Sequence, residues 1–177
     1  MSVEKEMKFK VESFESIKHV VLDNGFVLEK EIIQEDLYFS PPHKNFAGTK
    51  KYYLRLRKDT INNRFTFAYH KVINDLETDE TEVEIDNFEN FLKILKELDF
   101  NLDCIVNKKR KVYRGDVFEI VLDEIKDLGF FIEIEYVGEE TKNTDSLFNE
   151  IIKKLGLKKE NLISGVGYPD LIGNSLT

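Results

Sequence analysis

The sequence contains a single cysteine, Cys104, so no disulfide bond can form within the chain. One unpaired cysteine is typical of proteins in a reducing compartment, which predicts a cytoplasmic location and favours a buried, unreactive thiol. No apolar run reaches the roughly 18 residues that a membrane-spanning helix needs, and the first residues, Met1 to Glu6, lack a hydrophobic signal core. We therefore expect a protein with no membrane partner.

Proline and glycine are also scarce, at three and nine residues, within an ordinary composition of 41% hydrophobic and 34% charged residues. The length of 177 residues predicts one domain spanning residues 1–177, with only the last few residues disordered. Basic residues are outnumbered 34 to 26 by acidic ones, which gives a net charge of −8. This balance argues against a broad nucleic-acid or anionic-membrane surface, but it allows a small anionic ligand where basic residues gather.

Alternating polar and apolar residues predict eight strands, and three stretches have helical spacing. The predicted strands cover residues 3–11, 26–39, 52–58, 64–72, 80–86, 100–113, 117–125 and 130–137. We expect helices to begin near Ser13, as an N-cap, near Phe88 and at Thr144. Asn24-Gly25 ends the first helix and Asn62-Asn63 suits a hairpin turn, whereas residues 43–51 and 74–79 read as loops.

The first strand has two chemically different faces because side chains alternate along a strand. Glu4, Glu6, Lys8 and Lys10 share one face, and apolar residues dominate the other. Such a face is common on strands that lie half in water. Two carboxylates beside two amines are also suited to holding a divalent cation next to a polyanion, so both interpretations stay open for this strand alone.

A faint internal repeat relates the two halves of the chain. Glu4-x-Glu6, a helix and a long strand recur as Glu82-x-Glu84, a second helix and a second long strand. The repeat predicts two similar β-α-β units arranged with pseudo-symmetry in one sheet.

Three helices with one apolar stripe each can cover only one side of an eight-stranded sheet. The other side carries a charged set with few neutral polar residues, and its members are Glu4, Glu6, Glu80, Glu82, Glu84, Glu119, Asp123, Glu133 and Glu135 with Lys8, Lys10, Arg55, Arg57, Lys71, Lys108 and Arg110. If the strands close into a barrel, these charges line its interior, where they must be paired or bind ions. Carboxylates suit Mg²⁺ or Mn²⁺ and basic side chains suit phosphate, so the pattern predicts a metal-bound polyphosphate.

The same residues carry a resemblance to a known family. Glu4-x-Glu6-x-Lys8 resembles the ExExK signature of the CYTH superfamily, the triphosphate tunnel metalloenzymes. The further matches follow in the family's order and are Leu54-Arg55-Leu56-Arg57, Lys71, Glu82-x-Glu84, Lys108-x-Arg110, Leu122-Asp123 and Gly129-Phe130-Phe131-Ile132-Glu133-Ile134-Glu135. Gln34-x-Asp36-x-Tyr38-Phe39 followed by Pro41-Pro42 is most similar to the CyaB-type class IV adenylyl cyclases.

The resemblance implies an α+β fold, a closed eight-stranded antiparallel β-barrel or tunnel with amphipathic helices packed outside. By motif position it implies metal binding by Glu4, Glu6, Asp123, Glu133 and Glu135, and triphosphate binding by Lys8, Arg55, Arg57, Lys71, Lys108 and Arg110. Catalysis would fall to Glu4, Glu6, Lys8 and Asp123. Two departures stand out, since Glu80 replaces a residue that is basic in many relatives, and Tyr69-His70-Lys71-Val72 lacks the usual Lys-Gly-Pro.

Three functions are compatible with such a tunnel. The first is a cyclase that converts ATP to cyclic AMP and pyrophosphate with Mg²⁺ or Mn²⁺. The second is a triphosphatase acting on inorganic triphosphate, thiamine triphosphate or a nucleotide, and the third is a module that binds polyphosphate without turnover. The resemblance also suggests a homodimer.

Other candidate sites are weaker. The three histidines, His19, His43 and His70, have no zinc-ligand spacing. Lys108-Lys109-Arg110-Lys111 is a short basic run, but alternation along a strand sends half of its charges to the opposite face. We therefore expect no nucleic-acid partner.

Overall fold

Eight long strands and four helices make up most of the described chain in this computed structural model, which describes residues 2–42, 52–139 and 143–175. The strands are β1 (Ser2–Val11), β2 (Val27–Ser40), β3 (Tyr52–Asp59), β4 (Arg64–Val72), β5 (Glu77–Ile85), β6 (Asn101–Arg114), β7 (Phe118–Ile125), β8 (Gly129–Tyr136) and the two-residue β9 (Leu162–Ile163). The helices are α1 (Glu15–Asp23), α2 (Phe88–Glu97), α3 (Thr144–Lys154) and α4 (Tyr168–Ser175), with a 3₁₀ turn at Lys159–Asn161. The loop predicted over residues 43–51 lies outside the described residues.

The eight long strands close into an antiparallel barrel, as predicted. Their order is β5-β4-β3-β2-β6-β7-β8-β1, and β1 pairs back to β5. This last seam is short, running from Ser2 opposite Glu80 to Lys5 opposite Glu77. Beyond it, β9 pairs with Lys8 and Phe9 of β1, so the C-terminal segment continues the wall where β5 leaves it.

Helices α1, α2 and α3 pack outside the barrel in two separate cores, which confirms the predicted arrangement. Helices α1 and α3 cover the outer faces of β1, β7 and β8, where Phe9, Ile120 and Ile132 are almost fully buried. Helix α2 covers β2 and β3 over Leu37 and Leu56. None of the helices in the described ranges is long and apolar enough to cross a membrane.

Local signals set most of the element boundaries. The side chain of Asn87 accepts a hydrogen bond from the backbone of Asn90 and caps α2. Helix α1 ends at Asp23, just before the predicted stop at Asn24-Gly25, and Gly25 has a left-handed φ of +83°. The predicted cap at Ser13 is wrong, because α1 begins one residue later with Phe14 in the N-cap position and no side-chain cap.

Strand β5 begins at Glu77, three residues before the predicted start. Its first residues pair with the start of β1, and this pairing places Glu77 opposite Lys5. The Asn74 side chain accepts hydrogen bonds from the backbone of Leu76 and Glu77 and so forms the preceding turn. The prediction of a loose stretch over residues 74–79 is therefore right only for its first residues.

The predicted repeat corresponds to the symmetry of the barrel. The units β1-α1-β2 and β5-α2-β6 have the same connectivity, and equivalent strands are neighbours, β1 with β5 and β2 with β6. The second glutamate of the Glu82-x-Glu84 motif does not lie in the interior, since Glu84 is exposed and pairs with Arg64. Only Glu82 keeps its place beside the lumen.

Candidate active site

A cavity of about 350 Å³ lies inside the barrel. Strands β1 to β6 and β8 form its walls, and the segment 163–169, from the end of β9 to the start of α4, lies across part of it. An apolar layer of Ile32, Val112 and Val121 is buried as a separate cluster next to the charged residues. Val112 lies two residues from Arg110 on β6, and Val121 lies two residues from Asp123 on β7, so each valine shares a strand face with its charged neighbour. This apolar layer therefore closes off the adjoining part of the interior.

Five basic side chains from three strands line this cavity. They are Lys8 of β1, Arg55 and Arg57 of β3, and Lys108 and Arg110 of β6. All five belong to the set predicted to bind phosphate, and the alternation of side chains along each strand brings them to the interior.

Lys71 is the one predicted phosphate ligand that the structure does not bring to the cavity. It is exposed on the outer face of β4, whereas its neighbours His70 and Val72 line the interior. Strand pairing explains the difference, because His70 lies opposite Tyr53, which shares its face with Arg55. The inward position assigned to Lys71 is therefore filled by His70.

Asp36 of β2 organises the basic cluster. Arg57 donates two hydrogen bonds to its carboxylate, at 2.7 and 2.8 Å, and the Lys108 amine lies 3.1 Å from the same group. Burial opposes ionisation of Asp36, which is 0% exposed, but Arg57 and Lys108 outweigh it and hold the pKa well below its usual range. Asp36 therefore stays charged and orients two of the five basic side chains.

The contact with Asp36 does not fully balance the positive charges around Lys108. Burial, followed by the nearby guanidinium groups of Arg110 and Arg57, lowers the pKa of its amine to about 7. Asp36 compensates only partly because Arg57 already occupies both of its oxygens. The cavity thus holds an amine that is partly uncharged at neutral pH and gains from an anionic ligand.

Asp123 lies beneath the cavity floor, fully buried. Arg110 donates to both of its oxygens, at 2.7 and 2.5 Å, and the Tyr168 hydroxyl donates to one of them at 2.9 Å. Arg110 also bonds Glu133 at 2.5 Å, and Lys8 lies 3.1 Å from Glu133. In this arrangement Asp123 and Glu133, both predicted metal ligands, hold basic side chains in place.

A row of carboxylates faces this basic cluster. Glu135 of β8 lies directly opposite Glu6 of β1 on one side and Glu119 of β7 on the other. Burial, then the charges of Glu119 and Glu6, raises the pKa of Glu135 to about 7. Lys8 favours ionisation of Glu6, but burial and Glu133 together outweigh it and raise the Glu6 pKa.

Like charges placed opposite each other on adjacent strands repel, and because Lys8 lies beside Glu6 and Arg114 beside Glu119, a bound cation would stabilise Glu135 most. Carboxylate oxygens are the ligands that Mg²⁺ and Mn²⁺ prefer, and the chemistry of Glu6 and Glu135 therefore fits the predicted divalent metal. Within the described side chains, no three carboxylate, imidazole or thiol groups already form a metal site. The Glu4 side chain lies outside the described residues, although its backbone pairs with Thr78 and continues this wall.

Sequence reasoning missed several residues of the site. Tyr38 and Tyr53 line the cavity with their rings 6.1 Å apart, and Tyr53 donates to Asp170. Tyr168, in the C-terminal helix, lies with its ring 4.5 Å from the Lys8 amine and buried against Phe131. Tyr38 is two residues from Asp36 on β2 and therefore on the same face, so the sequence could have identified it. Tyr168 lies in a helix outside the strand pattern and reaches the site only through tertiary packing.

On another wall, Arg55 lies between two carboxylates, 3.0 Å from Glu80 and 3.1 Å from Glu82. Glu80 also lies 3.5 Å from Nδ1 of His70. Burial and then the charges of Arg55 and Arg57 lower the pKa of His70 to about 2, so its imidazole is neutral. This part of the cavity therefore combines a cation, a carboxylate and an uncharged ring.

Comparisons with known proteins agree with this geometry. A model of the CYTH domain matches residues 2–166 of this chain. A protein of Methanocaldococcus jannaschii named "Putative adenylate cyclase" is 29% identical over 165 residues, which cover 91% of this chain and 94% of that protein.

Solved structures have the same fold. A protein from Pyrococcus horikoshii has a TM-score of 0.83 at 26% identity, with 95% of this chain and 98% of that one covered. A Hippeastrum protein, described as a putative adenylyl cyclase with a dominant triphosphatase activity, has a TM-score of 0.68 at 18% identity, with 99% and 96% covered. The second likeness concerns the fold alone.

Proposed function

Because the chain belongs to the CYTH family, we propose that it is a divalent-metal-dependent enzyme that acts on the triphosphate of ATP and releases cyclic AMP and pyrophosphate. The relative from Methanocaldococcus jannaschii, which is named as an adenylate cyclase, supports this choice of reaction. The proposal includes the cytoplasmic location and the homodimer expected from the sequence.

One observation carries the proposal: five basic side chains converge in a cavity that the carboxylates of Glu6 and Glu135 also line. Phosphate oxygens are bound by guanidinium and ammonium groups, and a triphosphate brings enough negative charge to satisfy several of them together. The cluster of Lys8, Arg55, Arg57, Lys108 and Arg110 is therefore proposed as the phosphate clamp. Asp36, Asp123 and Glu133 hold these groups in position before the substrate arrives.

Glu6 and Glu135, together with Glu4 on the same face of β1, would hold Mg²⁺ or Mn²⁺. When bound there, the metal neutralises phosphate charge and lowers the pKa of a hydroxyl that binds it. Asp123 and Glu133 would join such a metal shell only by giving up their present bonds to Arg110. The basic side chains keep the leaving pyrophosphate charge balanced throughout the reaction.

A triphosphatase is the second candidate, because the five basic side chains that line the cavity would hold a triphosphate for hydrolysis as well as for cyclisation. The fold does not separate the two reactions, since both need the same clamp and differ in which phosphorus faces the nucleophile.

Product analysis distinguishes these functions. The protein is incubated with Mg²⁺ or Mn²⁺ and ATP, thiamine triphosphate or inorganic triphosphate, and the products are resolved by chromatography. Cyclic AMP with pyrophosphate supports the cyclase and orthophosphate supports the triphosphatase. Intact substrate that stays bound to the protein would contradict both and support the non-catalytic binding module.

Two variants test the two walls of the site. We expect Glu6→Gln and Lys108→Met each to lower the turnover rate by about 10²–10³-fold, because each removes a charge that the transition state uses. Lys71→Met is the matched control, since it removes a lysine charge from the outer face of β4 and should leave turnover unchanged. Equal activity of all three variants would show that the reaction takes place elsewhere.

A further inference from the structure

Two buried polar atoms in the cavity have no hydrogen-bond partner among the described residues: Nε of Arg55 and Nε2 of His70. Arg55 lies opposite Ala68 and His70 opposite Tyr53, so Arg55 and His70 are diagonal neighbours on adjacent strands. Their Cα atoms are therefore roughly 7–8 Å apart, and side chains of this length meet over the cavity. A buried polar atom that stays unpaired is unfavourable, so both atoms require a partner.

The two atoms differ in what they require. Arg55 Nε carries a hydrogen and can only donate. The Glu80 carboxylate lies 3.5 Å from His70 Nδ1 and can only accept, so it favours the tautomer with the imidazole hydrogen on Nδ1. The low pKa of His70 keeps the ring neutral, which leaves Nε2 as an acceptor. The site thus presents one donor and one acceptor side by side.

An ionised phosphate oxygen can satisfy Arg55 but not His70, because it has no hydrogen to donate. A hydroxyl group satisfies both, since it accepts from Arg55 Nε and donates to His70 Nε2. Tyr53 and Tyr38 lie beside this corner and offer aromatic surface next to it, which suits an organic group better than another phosphate.

We propose that Arg55 and His70, with Glu80 fixing the imidazole, form a subsite for a ribose hydroxyl of the nucleoside triphosphate. This inference rests on the proposed function and deepens it, because it makes the substrate a nucleotide and not inorganic triphosphate. His70 binds the hydroxyl and is too weak a base to deprotonate it. The two departures from the family pattern, at Glu80 and next to Lys71, thus belong to one feature.

The subsite is tested by binding without turnover. Titration calorimetry in EDTA measures the dissociation constants of ATP, 2′,3′-dideoxy-ATP and inorganic triphosphate for the wild type, His70→Phe and Lys71→Ala. His70→Phe removes both ring nitrogens at similar volume, and Lys71→Ala changes the adjacent side chain on the outer face. We expect the wild type to bind ATP about 10²-fold more tightly than dideoxy-ATP, because dideoxy-ATP loses both buried hydrogen bonds of the hydroxyl, the one to Arg55 and the one to His70.

In His70→Phe this preference should fall by about tenfold, because only the hydrogen bond from Arg55 Nε remains, while the dissociation constant for inorganic triphosphate stays within twofold and reports an intact fold. Lys71→Ala should behave like the wild type with all three ligands. Equal affinity of the wild type for ATP and dideoxy-ATP, or an equal loss for all ligands in His70→Phe, would overturn the subsite alone. If inorganic triphosphate binds the wild type neither in EDTA nor with added Mg²⁺, the proposed function fails with it.

Discussion

Lys108 shows how one residue is tuned by competition for a single carboxylate. Asp36 could pair with Lys108 alone, but Arg57 takes both of its oxygens in a bidentate arrangement. The lysine is left buried at 4% exposure between two guanidinium groups and gives up part of its charge. A ligand that supplies negative charge raises the pKa of Lys108 and so protonates its amine. Proton uptake on binding therefore reports whether phosphate lies beside Lys108.

We expect triphosphate binding at pH 8 to take up nearly one proton. Lys108 has a pKa of about 7 in the free protein and is mostly neutral at this pH, and bound phosphate raises the pKa so that the amine is protonated. Calorimetry in buffers with different ionisation enthalpies measures the uptake directly. Lys108→Met should abolish it, and an unchanged uptake in that variant would mean that another group titrates.

At the scale of elements, the hairpin between β3 and β4 shows what the sequence could predict. The turn at Asn62-Asn63 was recognised, and it fixes the register, with Asp59 opposite Arg64. Six residues away from the turn along each strand, this register pairs His70 of β4 with Tyr53 of β3, on the same face as Arg55. The strands and the five inward basic residues followed from alternation alone, whereas choosing His70 over Lys71 required the register as well.

The C-terminal segment could not be predicted in the same way. The sequence predicts disorder only for the last few residues, but it predicts neither strand β9 nor helix α4. Two residues of pairing with β1 and one tyrosine buried in the barrel hold this segment in place. Such contacts have no period in the sequence, because they depend on a cavity that exists only once the barrel has closed.

Tyr168 provides the test of this segment. We expect Tyr168→Ala to lower the free energy of unfolding by about 3–5 kcal/mol, because it removes a buried ring packed against Phe131. Tyr168→Phe keeps the ring and loses only the hydrogen bond to Asp123, and should cost about 1–3 kcal/mol. Urea unfolding measures both, with the exposed Lys158→Ala as a control expected within about 0.5 kcal/mol. A small effect of Tyr168→Ala would mean that α4 contributes little to the fold.

At the scale of the whole molecule, the barrel gathers five basic side chains and a row of carboxylates around one cavity. The basic side chains come mainly from β3 and β6, and the carboxylate row from β1, β7 and β8. The pseudo-symmetry of the fold does not extend to these charges, since Glu84, which repeats Glu6, points to solvent beside Arg64. A cation and a polyanion bound in this cavity would therefore each strengthen the other's binding.

We predict this coupling from the arrangement of the two walls. Mg²⁺ and inorganic triphosphate added together should raise the melting temperature by more than the sum of the rises that each gives alone, because Glu6 and Glu135 repel the triphosphate until a cation lies between them. In the double variant Glu6→Gln/Glu135→Gln the excess should vanish, while the rise from triphosphate alone is kept or grows. Thermal unfolding at fixed protein concentration measures all four conditions. If the excess persists in the double variant, the metal is held by the triphosphate alone and the carboxylate row has another role.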